Sequence, residues 1–217
     1  MKILTTTTLK KSKLFVINSA IIMLSALIIK IITSTFDIFL ANKIGAEAIG
    51  VYSLIMSIYM FAVTIATSGV NLAATKVISE ELEKNNSGNI PKIVKHCFLY
   101  SFLMGIFACT LLIIFAQYIC THWLMDKVSH TVIYALAFSL PFVSMTSAIS
   151  GYFLAVRNVL RTSISQIAGQ LMRIGIVFIL VMYIFPNNIN NSALALVFGG
   201  TISEIISFMF LYITYIK

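Results

Sequence analysis

Six long apolar segments are the feature that most constrains how this chain folds. They cover roughly residues 14–40, 49–71, 97–119, 131–152, 163–185 and 193–216. A helix needs about 20 residues to cross roughly 30 Å of hydrocarbon, so each segment is long enough to span a bilayer. The runs are continuous, whereas the strands of a membrane barrel alternate apolar and polar residues. We therefore predict an all-α integral membrane protein with six transmembrane helices.

The composition excludes an ordinary soluble domain. Of the 217 residues, 59% are hydrophobic and only 10% are charged, which leaves too few polar side chains to cover a globule. Because six spans and their connections use nearly the whole chain, we expect a single membrane domain over residues 1–217. The first apolar run is too long for a signal peptide and has no convincing small-residue cleavage site, so we expect it to be retained.

The positive charges divide unevenly between the two ends of the spans. Eleven of the fifteen Lys and Arg residues share one side: Lys2, Lys10, Lys11, Lys13, Lys76, Lys84, Lys92, Lys95, Arg157, Arg161 and Lys217. Lys43 and Lys127 lie on the other side, and Lys30 and Arg173 lie within spans. The positive-inside rule then predicts a multi-pass protein of the plasma membrane with both termini in the cytoplasm. Since this bias explains the net charge of +8, we expect no nucleic-acid partner.

Neither the cysteines nor the histidines indicate a metal site, a disulfide or a catalytic centre. Cys97, Cys109 and Cys120 lie on one span, roughly 16 to 18 Å apart by helical rise, which is beyond disulfide reach. The three histidines lie at span ends or in loops without a cluster of further ligands. There is no Gly-x-Ser-x-Gly motif and no Asp cluster for Mg²⁺. We therefore expect no metal, no cofactor and no enzyme activity.

The longest polar connection, roughly residues 72–90, has the pattern of an amphipathic helix. Its apolar residues recur at helical spacing: Ala74, Val77, Ile78 and Leu82. Acidic residues and Lys84 face elsewhere, which is typical of a helix lying on the cytoplasmic interface. The charges either solvate that face or bind a partner.

Polar residues inside the spans are the strongest candidates for function, because an ionisable group in a bilayer is costly. Lys30 and Asp37 lie on one stripe of the first span, with Thr33 and Ser34 between them. A second stripe follows the second span: Ser53, Ser57, Thr64, Thr67 and Asn71. We predict that the two stripes face one cavity. The alternatives are hydrogen bonds between helices for the small residues and simple solvation of Asp37 at the outer interface.

The fifth span carries the clearest polar face. Gln166, Gln170 and Arg173 follow Thr162 along one side, and Arg173 lies roughly 16 Å from the start of the span by helical rise. A water-filled passage or an anionic partner accounts for a cation at that depth. The planar donor fork of Arg suits phosphate. The alternative is an ion pair with Glu204 of the sixth span.

Two stretches resemble the family of stage V sporulation protein B and related polysaccharide and lipid-linked oligosaccharide flippases, within the MOP superfamily that includes the MATE exporters. The first contains Gly45-Ala46-Glu47-Ala48-Ile49-Gly50-Val51-Tyr52, Ala66-Thr67-Ser68-Gly69 and Ala74-Thr75-Lys76. The second contains Gly151-Tyr152-Phe153, Thr162, Ser165-Gln166, Gln170 and Arg173. The first stretch resembles the family's second helix and the loop after it. The second resembles the family's fourth loop and fifth helix.

The resemblance implies alternating access between two six-helix lobes around a cavity for a polyprenyl-pyrophosphate-linked sugar. It implies that Gln166, Gln170 and Arg173 line this cavity and that Lys30 and Asp37 lie on a helix that lines it. With Asn71 of the second polar stripe, these are the predicted cavity residues. The chain departs from the family pattern at three positions. Asn71 and Arg161 stand where the family has Pro, and Gly169 stands where an acidic residue often lies, which weakens an intact coupling site.

The resemblance covers only the amino-terminal lobe of the family's twelve to fourteen helices. We therefore expect the chain to pair with a second six-helix lobe, as a separate chain or a second copy. The expected partners are membrane lipid and a lipid-linked oligosaccharide or another amphipathic anionic substrate. The alternative functions are a non-transporting scaffold or inactive fragment and, more remotely, an intramembrane enzyme.

Overall fold

The computed structural model describes residues 2–84, 87–123, 130–180 and 189–216. Within these ranges the chain forms seven α-helices: α1 (Lys2–Ile44), α2 (Ala46–Thr67), α3 (Val70–Glu83), α4 (Ile90–Tyr118), α5 (His130–Ala155), α6 (Val159–Ile179) and α7 (Ile189–Ile216). A short 3₁₀ turn precedes α4, and a π turn follows it.

Six helical stretches of the described chain are long and apolar enough to cross a membrane, which confirms the predicted all-α fold with six spans. Five of them lie in α1, α4, α5, α6 and α7, and the remaining one runs through α2 and α3 together. The loop charge Lys127 and the uncharged fifth loop lie outside the described residues.

The break between α2 and α3 corrects the predicted course of the second span. Gly69 has φ 68°, a left-handed conformation that favours glycine, and α2 ends two residues before it. Asn71 therefore lies on α3 and does not continue the polar stripe of α2. The polar stripe predicted from Ser53 to Asn71 assumed one continuous helix, but the helix ends at Thr67 and a new one begins at Val70.

The predicted amphipathic segment overlaps the helix α3, which begins two residues before it and already ends at Glu83. Val70, Ala74 and Ile78 form its buried face at successive steps of four residues. Ala74 and Ile78 pack in one cluster with Val94 of α4 and Ala155 of α5. The helix thus buries one face against the bundle, and its position at the cytoplasmic interface remains a prediction.

The helix α5 lies at the centre of the bundle, where it packs against α3, α4 and α7. Two of these neighbours, α3 and α4, approach α5 closely because a glycine lies at each contact. A Cβ added at Gly105 of α4 would lie 2.6 Å from the Cα of Pro141, and one at Gly151 would lie 2.7 Å from the backbone oxygen of Asn71. Small residues at helix contacts give membrane bundles the van der Waals packing that holds them together.

Hydrogen bonds from serine hydroxyl groups join further pairs of helices. The buried Ser144 Oγ lies 2.7 Å from the backbone oxygens of both Ala66 and Ser101, so α5 meets α2 and α4 at one point. Between α6 and α7, the Ser203 hydroxyl donates to the backbone oxygen of Gly169 at 2.7 Å. The missing side chain at Gly169 is what lets α7 approach this carbonyl.

Candidate functional site

A polar cavity of about 640 Å³ opens between α1, α2, α6 and α7. It collects five of the residues that the sequence singled out: Lys30, Gln166, Gln170, Arg173 and Glu204. They come from three different helices, α1, α6 and α7. The cavity thus joins the polar faces of the first and fifth spans, whereas the second stripe, which we predicted to face the first, does not line it. The role of these residues in binding stays a prediction.

The half-buried Arg173 of α6 bonds to a tyrosine of α2 rather than to a carboxylate. Its Nη2 donates a short hydrogen bond to Tyr52 Oη. A neutral phenol holds the guanidinium in place but leaves its positive charge uncompensated. Because a guanidinium has five N–H donors, Arg173 keeps further donors for water or a ligand in the cavity.

The carboxyl group of Glu204 on α7 is held by a second tyrosine of α2. Tyr59 Oη lies 2.6 Å from Glu204 Oε2, and Ser139 Oγ of α5 lies 2.7 Å from Tyr59 Oη on its other side. Both Tyr59 and Ser139 are buried. Glu204 is thereby fixed at the wall of the cavity by hydroxyl groups from two other helices.

Arg173 and Glu204 do not form the direct ion pair that the sequence offered as an alternative. Among the described residues the only ion pair joins Lys84, which directly follows α3, to Glu81 of α3, at 3.7 Å. Tyr52 and Tyr59 lie seven residues apart on one face of α2. Tyr52 is hydrogen-bonded to Arg173, and Tyr59 is hydrogen-bonded to Glu204. The cavity therefore holds a cation and an acid side by side without joining them.

The helix α1 contributes a hydrogen-bonded edge to the cavity. Gln170 Nε2 of α6 donates to Thr33 Oγ1 at 2.9 Å, which ties the middle of α6 to the last third of α1. Lys30 lies three residues before Thr33 and lines the cavity as an exposed side chain. Gln166 is also exposed, so both side chains are free to contact a bound molecule.

Two predicted site residues lie outside the cavity. Asp37 is exposed on α1 beyond the lining residues. Asn71 reaches α5 instead, where its Nδ2 donates to the backbone oxygen of Ser147 at 3.4 Å. The structure therefore gives Asn71 a packing contact between α3 and α5, and it does not bring either residue to the cavity.

The predicted Ser and Thr stripe of α2 bonds to its own helix. Ser57 Oγ donates to the backbone oxygen of Ser53 at 2.9 Å, and Thr64 Oγ1 donates to that of Met60 at 2.8 Å. Such back-bonding satisfies a hydroxyl group in an apolar surrounding without a partner helix. This stripe forms neither a wall of the polar cavity nor a bridge between helices.

A second groove on the opposite side of α2 is almost entirely apolar. It measures about 800 Å³ and lies between α2 and α4, with Phe61, Phe115 and Trp123 among its walls. An ionised group placed there would lose its hydration without gaining partners. The polar cavity is thus the better of the two sites for a charged ligand.

Sequence reasoning missed the tyrosines that organise the polar cavity. Tyr52 and Tyr59 read as ordinary apolar positions in a membrane span, and Ser139 reads as a small packing residue. The available signal is Tyr59, which lies about ten residues inside the predicted span although tyrosine is enriched at membrane interfaces, with Tyr52 seven residues before it on the same helix face. Pairing that face with the polar stripes of neighbouring helices points to a shared site.

Comparisons with known proteins agree on one family and one fold. Residues 15–217 match the family described as polysaccharide biosynthesis protein. Stage V sporulation protein B of Bacillus subtilis (strain 168) is 20% identical over 201 residues, which are 93% of this chain and 39% of that protein. The chain thus spans about two-fifths of the length of this curated relative.

Solved structures show the same fold at low sequence identity. An outward-facing multidrug resistance MATE family transporter of the MOP superfamily is 16% identical with a TM-score of 0.69, over 88% of this chain and 43% of that one. A MOP superfamily transporter from Pyrococcus furiosus is 12% identical with a TM-score of 0.72, over 89% of this chain and 44% of that one. These matches confirm the predicted fold class, one lobe of a MATE-like fold.

Proposed function

The chain belongs to the polysaccharide biosynthesis protein family, and from this premise we propose that it forms one lobe of a membrane flippase. The proposed lobe moves a polyprenyl-linked cell-wall or polysaccharide precursor outward by alternating access. The observation that carries this proposal is Arg173, a cation inside a membrane-spanning helix that faces a polar cavity and has no carboxylate partner among the described residues. A drug-like amphipathic anion is a second candidate substrate, since it also carries a negative charge for Arg173, but it lacks the sugar that the cavity amides would bind.

The charges of the cavity suit an anionic head group. Holding a charged side chain at the bilayer centre costs roughly 2.5–3.5 kcal/mol, and an anionic ligand offsets this cost. Arg173 and Lys30 both line the cavity, and neither is ion-paired within the described part of the chain. A pyrophosphate has oxygens for the planar fork of Arg173 and for the point charge of Lys30 at once.

The size and polarity of the cavity suit the head group better than the prenyl chain. A volume of about 640 Å³ falls within the range of roughly 300–1,000 Å³ that small-molecule sites occupy. Gln166 and Gln170 line the same cavity and supply amide donors and acceptors for the hydroxyl groups of a sugar. The prenyl chain then remains in the hydrocarbon, where its burial needs no protein partner.

The proposal includes a second six-helix lobe that closes the cavity. Only 6% of the most apolar stretch of α1 is buried, and Lys30 and Gln166 are exposed on the lobe. Polar side chains facing lipid are costly, so a facing protein surface stabilises them. The partner is another copy, a separate chain or further sequence of the same protein. The proposed location is the plasma membrane with both termini in the cytoplasm, from the charge bias of the loops.

The competing proposal is a membrane scaffold, or an inactive fragment, that transports nothing. The test measures translocation of a fluorescent polyprenyl-pyrophosphate sugar in membrane vesicles from cells that express the chain. Arg173→Ala should lower the rate about 10- to 100-fold, since a hydrogen bond to a charged group contributes roughly 1.5–3 kcal/mol. Arg173→Lys should recover part of the rate because it restores the charge without the fork.

Arg161→Ala is the matched control. Arg161 is an exposed arginine of the same helix whose Nη1 donates to the backbone oxygen of Thr214 at 3.0 Å, outside the cavity. It should retain the rate of the unmodified chain at equal expression. Equal rates for Arg173→Ala and Arg161→Ala would refute a role of the cavity in transport and favour the scaffold.

A further inference from the structure

The apolar groove between α2 and α4 lies on the opposite side of α2 from the polar cavity. On α2, Leu54, Ile58 and Ile65 line the groove, whereas Tyr52 and Tyr59 line the cavity. The helix therefore has an apolar face and a polar face, and each forms the wall of a different recess. The volume of the groove, about 800 Å³, falls within the range of roughly 300–1,000 Å³ that small-molecule sites occupy.

The groove has a floor of small side chains and walls of large ones. Ala62 of α2 and Ala108 of α4 line it and are buried, so they form its floor. Phe61, Phe115 and Trp123 line it as well, but these side chains are mostly exposed and therefore form its walls. The result is a narrow slot whose aromatic walls rise above an alanine floor.

The shape of this slot suits a single hydrocarbon chain better than a helix. Helices in membranes approach each other closely where small residues face them, and here the rings of Phe61 and Phe115 hold a helix away from the alanines. A hydrocarbon chain is slender enough to reach the floor, where it contacts protein on three sides. Because dispersion contacts add up along the chain, it is held more firmly there than on a flat helix face.

The length of the groove and its two ends match one leaflet of a bilayer. The chain advances roughly 20 Å by helical rise from Ala108 to Trp123, and half of the hydrocarbon is about 15 Å thick. Trp123 ends the candidate span Ile90–Trp123, and Ala108 lies midway along it. Tyr118 and His122, whose stacked rings are 4.4 Å apart, lie at the Trp123 end. Since Trp and Tyr are enriched at membrane interfaces, this end lies level with the lipid headgroups.

We propose that this groove is a binding site for one acyl chain of a phospholipid whose headgroup lies level with Trp123. The chain enters at the aromatic end and runs along α4 towards Ala108. A phospholipid is the source because an acyl chain of one leaflet ends near the middle of the bilayer, where the groove also ends. The bound chain joins α2 to α4 on the side away from the polar cavity, so the site does not depend on the transported substrate.

Trp123 is the single tryptophan of the sequence, so its fluorescence reports on the mouth of the groove. Bromine atoms on an acyl chain quench tryptophan fluorescence on contact. Titration of the full chain in detergent with dibrominated phosphatidylcholine should give quenching that saturates at one lipid per chain. Bromines near the headgroup should quench more strongly than bromines near the end of the acyl chain. Quenching that never saturates, or the opposite order of the two bromine positions, would overturn the proposal.

Two phenylalanines of α4 distinguish the groove from general contact with lipid. Phe115 lines the groove and Phe107 lies outside it, although they are similarly exposed at 52% and 54%. Phe115→Ala should raise the lipid concentration for half-maximal quenching about three- to tenfold, because the contacts of the ring with the chain are lost. Phe61→Ala on the opposite wall should have the same effect, and Phe107→Ala should have none. Equal shifts for Phe107→Ala and Phe115→Ala would contradict a site in the groove.

Competition in the same titration distinguishes the phospholipid from other occupants. Unlabelled phosphatidylcholine should displace the brominated lipid at an equal concentration. Displacement by a polyprenyl phosphate at a concentration about tenfold lower would assign the groove to the prenyl chain of a substrate. Quenching that falls as the protein concentration rises, at a fixed ratio of lipid to detergent, would show that a second copy fills the groove. Either of these two results would overturn the assignment to a phospholipid.

Discussion

The helices α5 and α1 are both membrane spans of similar hydropathy, yet they are packed in opposite ways. Half of the most apolar stretch of α5 is buried in the bundle, against 6% of that of α1. The helix α5 meets three neighbours through glycines and buried hydroxyls, whereas α1 leans mainly on α6. The loosely packed helix carries Lys30 and Thr33, which face the cavity.

The difference indicates two roles: α5 and the helices packed on it form a rigid frame, whereas α1 contributes side chains to the cavity. In a bilayer, apolar side chains gain little from leaving lipid, so a span becomes rigid only where it meets other helices closely. The contacts of α5 provide such a frame. The cavity lies where close packing gives way to polar side chains, and substitutions should therefore affect stability around α5 and ligand handling around α1.

The largest effect on stability is expected at the contact between α4 and α5. Gly105→Ala adds a methyl group 2.6 Å from the Cα of Pro141, and both backbones must separate to admit it. Overpacking of this kind costs about 1–3 kcal/mol. Thermal unfolding in detergent should show a clearly lower Tm.

Gly175→Ala is the control for this substitution. It lies in α6, where an added Cβ meets nothing within 4 Å, so the higher helix propensity of Ala should leave stability unchanged or slightly raised. Equal Tm losses for Gly105→Ala and Gly175→Ala would contradict the tight frame around α5.

A smaller effect is expected where α5 meets two helices through a hydroxyl group. Ser144→Ala removes the buried Oγ that lies 2.7 Å from the backbone oxygens of Ala66 and Ser101. Hydrogen bonds between membrane helices average about 0.6 kcal/mol, so a loss of that order is expected in denaturant unfolding. Thr110→Val removes an exposed hydroxyl that bonds only within α4 and should cost less. The contrast fails if the two losses are equal.

The smallest effect on stability is expected on α1. Lys30→Gln removes an exposed charge of the cavity wall that has no ion-pair partner among the described residues, so no stabilising contact is lost and the Tm in detergent should not fall. Pyrophosphate affinity should nevertheless fall several-fold, since one of two cations is lost. Lys43→Gln, at the end of the same helix and outside the cavity, should alter neither quantity. A large drop in Tm for Lys30→Gln would show that α1 belongs to the frame.

Much of the fold could be predicted because hydrophobicity alone decides where a chain crosses a bilayer. The six spans and the resemblance to the polysaccharide flippase family are both confirmed. Helical spacing placed Lys30 on a polar face of the first span and Gln170 and Arg173 on one of the fifth, and the family resemblance assigned both faces to one cavity. The structure brings these three residues to the same cavity.

The remaining features depend on contacts that no single span records. The break at Gly69 moved Asn71 to another helix, and only the φ angle of the glycine reveals it. The separation of Arg173 from Glu204 depends on which way α2 turns its two tyrosines. A tyrosine in a span reads as apolar until its hydroxyl is placed beside a charged group, and that placement is tertiary.

The spacing of Tyr52 and Tyr59 has a mechanical consequence. Seven residues are close to two full helical turns, so both hydroxyls point the same way from the axis of α2. Any rotation of α2 about that axis must withdraw Tyr52 from Arg173 and Tyr59 from Glu204 in the same movement. A rotation of α2 would therefore release the guanidinium of Arg173 and the carboxyl group of Glu204 in one step.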